Sequence, residues 1–254
     1  MAALRISISG LAFLPFMIIY FSRIDWSKLK YLIIVGLSGS GIPAFLYAFA
    51  ETRIDSNIAG ILNSLTPLFT LGFGILIFKL ESNWAKVGGV LLGFVGASVI
   101  IIFGQNIDTN SFAHLWYALL IVIATMLYAI SVNTVKKYLQ EMDPMVITAS
   151  TLMIISIPCT IYLLATDIFT YIQATESAYF SLGMIALLSV FATALSTIIF
   201  YKLVQKTNAV FASSVAYFIP VAALFWGMLD NETISAWHII GLVLIIIGVY
   251  LARK

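Results

Sequence analysis

Nine apolar segments separated by short polar loops decide what this chain can fold into. Each is close to the roughly 20 residues that an α-helix needs to cross a bilayer core of about 30 Å. With 62% hydrophobic and only 9% charged residues, the chain has too little polar surface to coat a soluble globule of 254 residues. We therefore predict an all-α integral membrane protein of about nine transmembrane helices. The segments cover residues 3–21, 31–50, 58–78, 87–103, 115–134, 146–165, 182–201, 209–229 and 238–251.

Basic residues alternate from loop to loop, which predicts the orientation of the helices. Lysine and arginine are concentrated in cytoplasmic loops. The loops after the first, third, fifth and seventh segments hold two or three of them each, whereas the others hold one or none. The chain also ends on Arg253 and Lys254. This pattern predicts a multi-pass protein of the cell membrane with a cytoplasmic C-terminus.

Landmarks of the third and fourth segments recur 151 to 153 residues later in the eighth and ninth. The near-constant spacing predicts an internal duplication, with repeats at residues 1–104 and 105–254. Copies of five helices each lie in opposite orientations, so the prediction is an inverted repeat of four plus five helices. The matched pairs are Pro67 and Pro220, Glu81 and Glu232, Gly89 and Gly241, and Gly96 and Gly248.

The first copy begins at Met1 with the counterpart of the second helix of the later copy. We therefore expect the chain to be an N-terminally shortened version of a ten-helix protein with both termini in the cytoplasm. Such a start also explains why the charge pattern leaves Met1 on the outer side.

Residues 51–102, "ETRIDSNIAGILNSLTPLFTLGFGILIFKLESNWAKVGGVLLGFVGASVIII", and their second copy ending in "GLVLIIIGVYLARK" carry a family resemblance. Both copies have a mid-segment proline, an acidic residue closing that helix and a glycine-spaced helix after it. In these features the whole chain resembles the EamA-type transporters of the drug/metabolite transporter superfamily. The resemblance implies ten helices in two inverted halves around a central cavity, and movement of amino acids, other metabolites or drugs, often outward. The chain departs from it by the missing first helix and by a shorter span from Pro220 to Glu232.

Two polar residues of the third segment are candidates for the wall of a substrate cavity. Asn63 and Thr66 lie on one helical face, and their counterparts in the second copy are Ala216 and Ile219. A buried carboxamide without a matching partner must bond a helix, a water or a substrate. The small residues on the same face are also explained by close helix packing, which we favour for them.

Further cavity candidates come from the second, fifth, seventh and eighth segments. The run "GLSGSGIP" at residues 36–43 is dense in helix-weakening residues, as expected where transporters interrupt a helix around a substrate site. Hydroxyl groups also bond back to their own helix, and interfacial anchoring is an equal explanation for the aromatic residues. These candidates are Ser38, Ser40, Tyr47, Tyr128, Ser131, Thr193, Ser196 and Tyr217.

Pro67 and Pro220 predict a bend at the same place in each copy. A kink frees backbone carbonyls that only neighbours or a watery cavity can satisfy. One interpretation is a hinge that serves alternating access, and the other is a static bend that improves packing. A duplication would copy a hinge and a static bend alike, so the matched positions of the two prolines favour the hinge only slightly.

The charged residues exclude several classes of function. No aspartate, glutamate or histidine falls in the middle of a predicted span, so a proton relay has no evident carrier. The single cysteine excludes a cysteine-based metal cluster, and the scattered lysines and arginines make a nucleic-acid partner improbable. Arg5 and Lys202 lie at span ends, where their side chains can snorkel. We expect no metal, no cofactor and no phosphate-binding loop.

Three functions remain open. The first is a secondary transporter of small amino-acid-like or drug-like solutes, working outward by alternating access, with the lipid bilayer and the solute as partners. The second is a passive channel or a non-transporting membrane subunit, and the sequence also allows a homodimer. The third is an intramembrane serine protease using Ser38 and His238, which geometry opposes because the two would lie near opposite faces of the membrane.

Overall fold

Every regular element in the described part of the chain is a helix. The computed structural model describes residues 1–54, 56–104, 115–166, 168, 178–222 and 236–253. Glu232, one of the predicted repeat landmarks, lies outside these residues. Within these residues the apolar helices are α1 (Ala2–Tyr20), α2 (Trp26–Ala50), α3 (in two pieces, Ser56–Asn63 and Thr66–Leu76), α4 (Trp84–Gly104), α5 (Leu115–Tyr138), α6 (Pro144–Leu164), α7 (Ala178–Lys206), α8 (Ala209–Ala222) and α9 (Ala236–Arg253).

The helices are built for lipid, which confirms the predicted all-α membrane fold. Seven of the described helices are long and apolar enough to cross a bilayer, and α4 and α8 are shorter apolar helices. Large apolar side chains such as Leu76 and Phe180 lie more than 70% exposed on the outer surface. In water such a surface would be strongly unfavourable, whereas hydrocarbon tails solvate it.

The second and seventh helices each contain a π-helical segment, at Leu37–Gly41 and Leu188–Leu195. The predicted interruption of "GLSGSGIP" is therefore a local widening of the helix rather than a gap. Glycine matters here because the backbone of α2 approaches α5 closely. A Cβ on Gly39 would lie 2.4 Å from the Ser131 hydroxyl oxygen.

The third helix is one apolar span, Ala59–Leu76, close to the expected segment 58–78, and a turn divides it into two α-helical pieces. Ser64 and Leu65 form a turn, and Pro67 lies in the first turn of the second piece. Proline has no N–H to offer the carbonyl of Asn63, four residues earlier. The Thr66 hydroxyl donates to that carbonyl instead, at 2.8 Å. The break is thus closed by a side chain.

The eighth helix is irregular at the corresponding place. A 3-10 segment, Ser214–Tyr217, separates the Ala209–Ser213 helix from the helical turn that holds the buried Pro220. Both prolines therefore follow a local departure from α-helical geometry.

The fourth and ninth helices make the most extensive helix–helix contact in the described chain, and glycines allow their backbones to approach closely. A Cβ on Gly96 would lie 2.7 Å from the Gly241 carbonyl oxygen, and one on Gly248 would lie 2.5 Å from the Gly93 nitrogen. Backbones at this separation gain dispersion contacts and weak Cα–H···O bonds that lipid cannot replace. The glycines that were predicted to mark a repeat therefore have a packing role.

Gly89→Ala will destabilise the fold, because its Cβ would lie 2.5 Å from the Ala252 backbone nitrogen. Overpacking of this kind costs about 1–3 kcal/mol. Gly88→Ala is the matched control, since a Cβ there meets nothing within 4 Å and the gain in helix propensity is the same. Thermal unfolding in detergent measures the difference, and equal midpoints for the two variants would contradict the packing role.

Candidate functional site

A cavity of about 770 Å³ lies between α2, α3, α5, α7 and α8. It reaches the break in α3 and the 3-10 segment of α8. None of the described residues that line it carries a formal charge, and its polar groups are phenols, hydroxyls and one carboxamide. Six predicted site residues line it, namely Tyr47, Asn63, Thr66, Tyr128, Ser131 and Ser196.

The carboxamide of Asn63 is the cavity's most adaptable polar group. The Tyr47 hydroxyl donates to its Oδ1 at 2.7 Å, which orients the amide. The ring of Tyr47 lies 6.1 Å from that of Tyr128, so two aromatic rings flank the same region. The Asn63 Nδ2 donates to no described group, which leaves its two N–H bonds available to a bound solute.

The hydroxyl groups of the lining are used differently. Thr66 donates to the Asn63 carbonyl, Ser196 to the Ala192 carbonyl and Ser213 to the Val210 carbonyl. A hydroxyl whose proton is engaged in its own helix still has lone pairs to accept with. The lining therefore presents several acceptors and, at Asn63, a donor.

Four predicted site residues lie outside the cavity lining. The Ser38 hydroxyl donates to the Ile34 carbonyl of its own helix at 2.6 Å, and half-buried Ser40 is likewise not part of the lining. Thr193 accepts a hydrogen bond from Arg5 at 3.0 Å. The fully buried Tyr217 donates to the Val90 carbonyl at 2.8 Å, so it joins α8 to α4 instead of facing a solute.

Several lining residues were not predicted from the sequence. Gly39 is a neighbour of the serines that were chosen, and its missing side chain leaves part of the space. Thr197 follows the predicted Ser196 and marks the same turn. Tyr201 and Phe200 lie near the end of α7, where anchoring at the membrane surface explained them equally well. Ser213 had no signal beyond its place in the irregular "SSVAYF" stretch.

Arg5 lies in the first turns of α1 and turns toward protein. Its guanidinium donates to Thr193, and its Nε is buried without a hydrogen-bond partner in the described structure. The ion pair found among the described residues, Lys28 with Asp25, is elsewhere. The sequence favoured an Arg5 side chain that extends to the membrane surface, whereas in the structure its guanidinium binds Thr193.

These features define a multi-pass membrane protein with an uncharged, mostly apolar cavity that carries several polar groups and lies beside its irregular helices. The sequence model of the EamA-like transporter family matches residues 1–102 and 115–253. The chain belongs to that family, which confirms the resemblance. The family points to a membrane transporter rather than to an enzyme, and it implies a small-molecule solute and a lipid environment.

Two individual proteins similar to this chain are named as transporters. An uncharacterized transporter of Archaeoglobus fulgidus is 26% identical over 254 residues, covering 100% of this chain and 87% of that protein. The uncharacterized transporter YoaV of Bacillus subtilis is 24% identical, covering 93% of this chain and 81% of the relative. A crystal structure matches 99% of this chain and 85% of its own chain with a TM-score of 0.72 and 17% identity, which supports the fold alone.

Tyr217→Phe will change stability rather than solute affinity. It removes the buried bond to the Val90 carbonyl, which we expect to cost about 1 kcal/mol. Tyr47→Phe is the comparison, because it removes a phenol that lines the cavity and orients Asn63. Melting midpoints and solute binding are measured on both variants. A Tyr217→Phe protein with normal melting and weakened binding would place this residue in the site after all.

Proposed function

We propose that this protein is a secondary transporter that moves small, net-uncharged solutes by alternating access through the cavity. One observation carries the proposal: a mostly apolar cavity with several uncharged polar groups lies where α3 and α8 depart from regular helix. Backbone that is irregular at membrane depth is tolerated where protein or a water-filled cavity satisfies it. Transporters of this kind place substrate sites at interrupted helices between two repeats.

The solute class follows from the lining. A volume of about 770 Å³ is within the range of sites that hold metabolite-sized molecules. A buried ion without a counter-charge is costly, and the described lining supplies none. Acceptor hydroxyls and the Asn63 amide suit a dipolar solute, and the aromatic walls suit an apolar side chain.

The broken third helix is the proposed moving part. Its two pieces are joined by the turn at Ser64 and Leu65 and by the bond from Thr66 to the Asn63 carbonyl. Because the turn lies between the two pieces, they can change their relative direction without loss of the α-helical hydrogen bonds within either piece. Residues 1–104 and 105–254 would be the two halves that rock, with the cavity between them.

Orientation is proposed from charge. Lys79, Lys86, Lys136 and Lys137 gather near the end of the bundle where α3 finishes and α4 begins, which we call the basic end. The positive-inside rule makes it cytoplasmic and the C-terminus cytoplasmic too. We propose net movement outward, from the basic end across the cell membrane.

The protease alternative has two observations against it. The Ser38 hydroxyl is engaged with the Ile34 carbonyl, and α9, which holds His238, packs mainly on α4 and α8. A nucleophile needs a base within hydrogen-bond reach.

Asn63→Ala will weaken solute exchange. Losing the amide removes one or two hydrogen bonds to a desolvated solute, which corresponds to about a ten-fold rise in the half-saturation concentration. Counterflow of labelled solute in proteoliposomes measures it, and also separates a carrier from a channel because a carrier alone accumulates label against its own gradient. Ser38→Ala is the control and should behave like the wild type. Unchanged exchange in Asn63→Ala would remove this residue from the site.

Pro67→Ala will slow exchange more than it weakens binding. Alanine restores an N–H for the Asn63 carbonyl and lets the two pieces of α3 join, which favours one conformation over the other. Equilibrium binding and counterflow rate are compared, with Pro15→Ala as the control, because Pro15 lies inside α1 away from the cavity. Equal rates for both variants would argue for a static bend.

A further inference from the structure

A second, smaller pocket lies at the basic end of the bundle. Its volume is about 270 Å³, and it is formed by α3, α5, α8 and the segment that leads into α4. Unlike the large cavity, it is lined by charged side chains. The residues that matter for its chemistry are Thr70, Gly74, Glu81, Lys86, Asn133 and Lys136.

The two cavities are arranged in series along the same helices. On α3, Thr66 lines the large cavity and Thr70, one turn further, lines the small one. On α5, Tyr128 lines the large cavity and Lys136, two turns further along, lines the small one, and α8 likewise contributes to both. A solute passing from the basic end to the large cavity would therefore meet the small pocket first.

Asn133 gives this pocket an unsatisfied acceptor. The side chain is fully buried, and its Nδ2 donates to the carbonyls of Thr70 and Ala129, each at 3.0 Å. These two bonds fix the amide orientation, since the opposite one would set oxygen against oxygen. The Oδ1 then has no partner among described groups. It faces the space that Gly74 leaves, because a Cβ there would lie 3.2 Å away.

Two of the three charged side chains of the pocket, Glu81 and Lys86, have no side-chain partner among the described residues. The Glu81 carboxylate and the Lys86 ammonium form no ion pair or hydrogen bond with any described side chain, although both line the pocket. Lys136 is different, because its Nζ donates to the carbonyls of Gln205 and Thr207, at 3.1 and 2.5 Å. Glu81 is exposed at the mouth and Lys86 is half-buried.

We infer that this pocket binds a zwitterionic α-amino acid on its way to the large cavity, an inference that rests on the proposed function. The ammonium group donates to Asn133 Oδ1 and Glu81, and the carboxylate accepts from Lys86. A simple cation fits less well, because two lysines oppose one glutamate in the lining. A simple anion leaves the Asn133 oxygen unsatisfied, at a cost that a donor removes. A zwitterion satisfies all three and arrives net-uncharged, as the large cavity requires.

Equilibrium binding to the purified full chain in detergent tests the inference. Each neutral amino acid, labelled, is offered in turn, with phenethylamine and 3-phenylpropionate as the cationic and anionic counterparts of phenylalanine. We expect at least one amino acid to bind at two sites per chain. Gly74→Ala, which fills the space beside Asn133, should bind at one site, whereas Gly72→Ala should keep two because a Cβ there meets nothing within 4 Å.

Charge-neutral variants provide a second measurement that does not disturb packing. Glu81→Gln and Lys86→Gln should each weaken the second site about ten-fold, as expected for the loss of a charge-assisted hydrogen bond. If the wild type binds at one site per chain and Gly74→Ala does not affect that site, the small pocket is not a binding site. If Asn63→Ala weakens the same single site, the proposal for the large cavity still holds. Binding of only the amine or only the acid would overturn the zwitterion. Loss of binding in Gly72→Ala as well would overturn the assignment to this pocket.

Discussion

Lipid offers no hydrogen bonds, and this single fact governs where the chain departs from helical geometry. Every backbone group that a helix releases at membrane depth has to be satisfied by the protein or by a cavity. At the break in α3 the Thr66 hydroxyl satisfies the carbonyl that Pro67 leaves free. The cavity lies beside this break and beside the irregular part of α8. The irregular backbone of α3 and α8 and the cavity therefore occur at the same place in the bundle.

The same constraint divides the bundle into two kinds of helix contact. The α4–α9 pair is held by glycines whose backbones touch, a contact with no room to slide because almost any added atom collides. Around the cavity, apolar side chains are interspersed with hydrogen-bonding groups, such as Tyr47 with Asn63. Hydrogen bonds of that kind exchange for bonds to water or solute at little net cost. The packing of α4 on α9 is backbone against backbone, whereas the helices around the cavity also meet through hydrogen bonds that can exchange.

The sequence predicts best those features of the structure that depend on residues within one segment. The spans, the matched prolines and the interrupted "GLSGSGIP" stretch follow from composition and spacing along one segment, and the helices are where they were expected. Asn63 stands out because a carboxamide in an apolar run needs a partner wherever the helix lies. The predictions that depend on which neighbour a face meets fared less well. Tyr217 has the residue type of an aromatic wall, yet the Val90 carbonyl lies within its reach and takes its hydroxyl.

Asn133 shows the limit most clearly. Within α5 it is one more polar residue near a helix end, with one amide hydrogen bonded to the Ala129 carbonyl of the same helix. The Thr70 carbonyl of α3 accepts the other amide hydrogen, and the oxygen is left without a partner among described groups. That unpaired oxygen requires both α3 and α5 to be in place, so no pattern in one segment predicts it. Because α5 runs unbroken from Leu115 to Tyr138, it presents this oxygen and the large cavity's Tyr128 and Ser131 on one continuous element. In the proposed cycle α5 therefore keeps the two polar sites at a constant spacing while the broken α3 changes shape beside them.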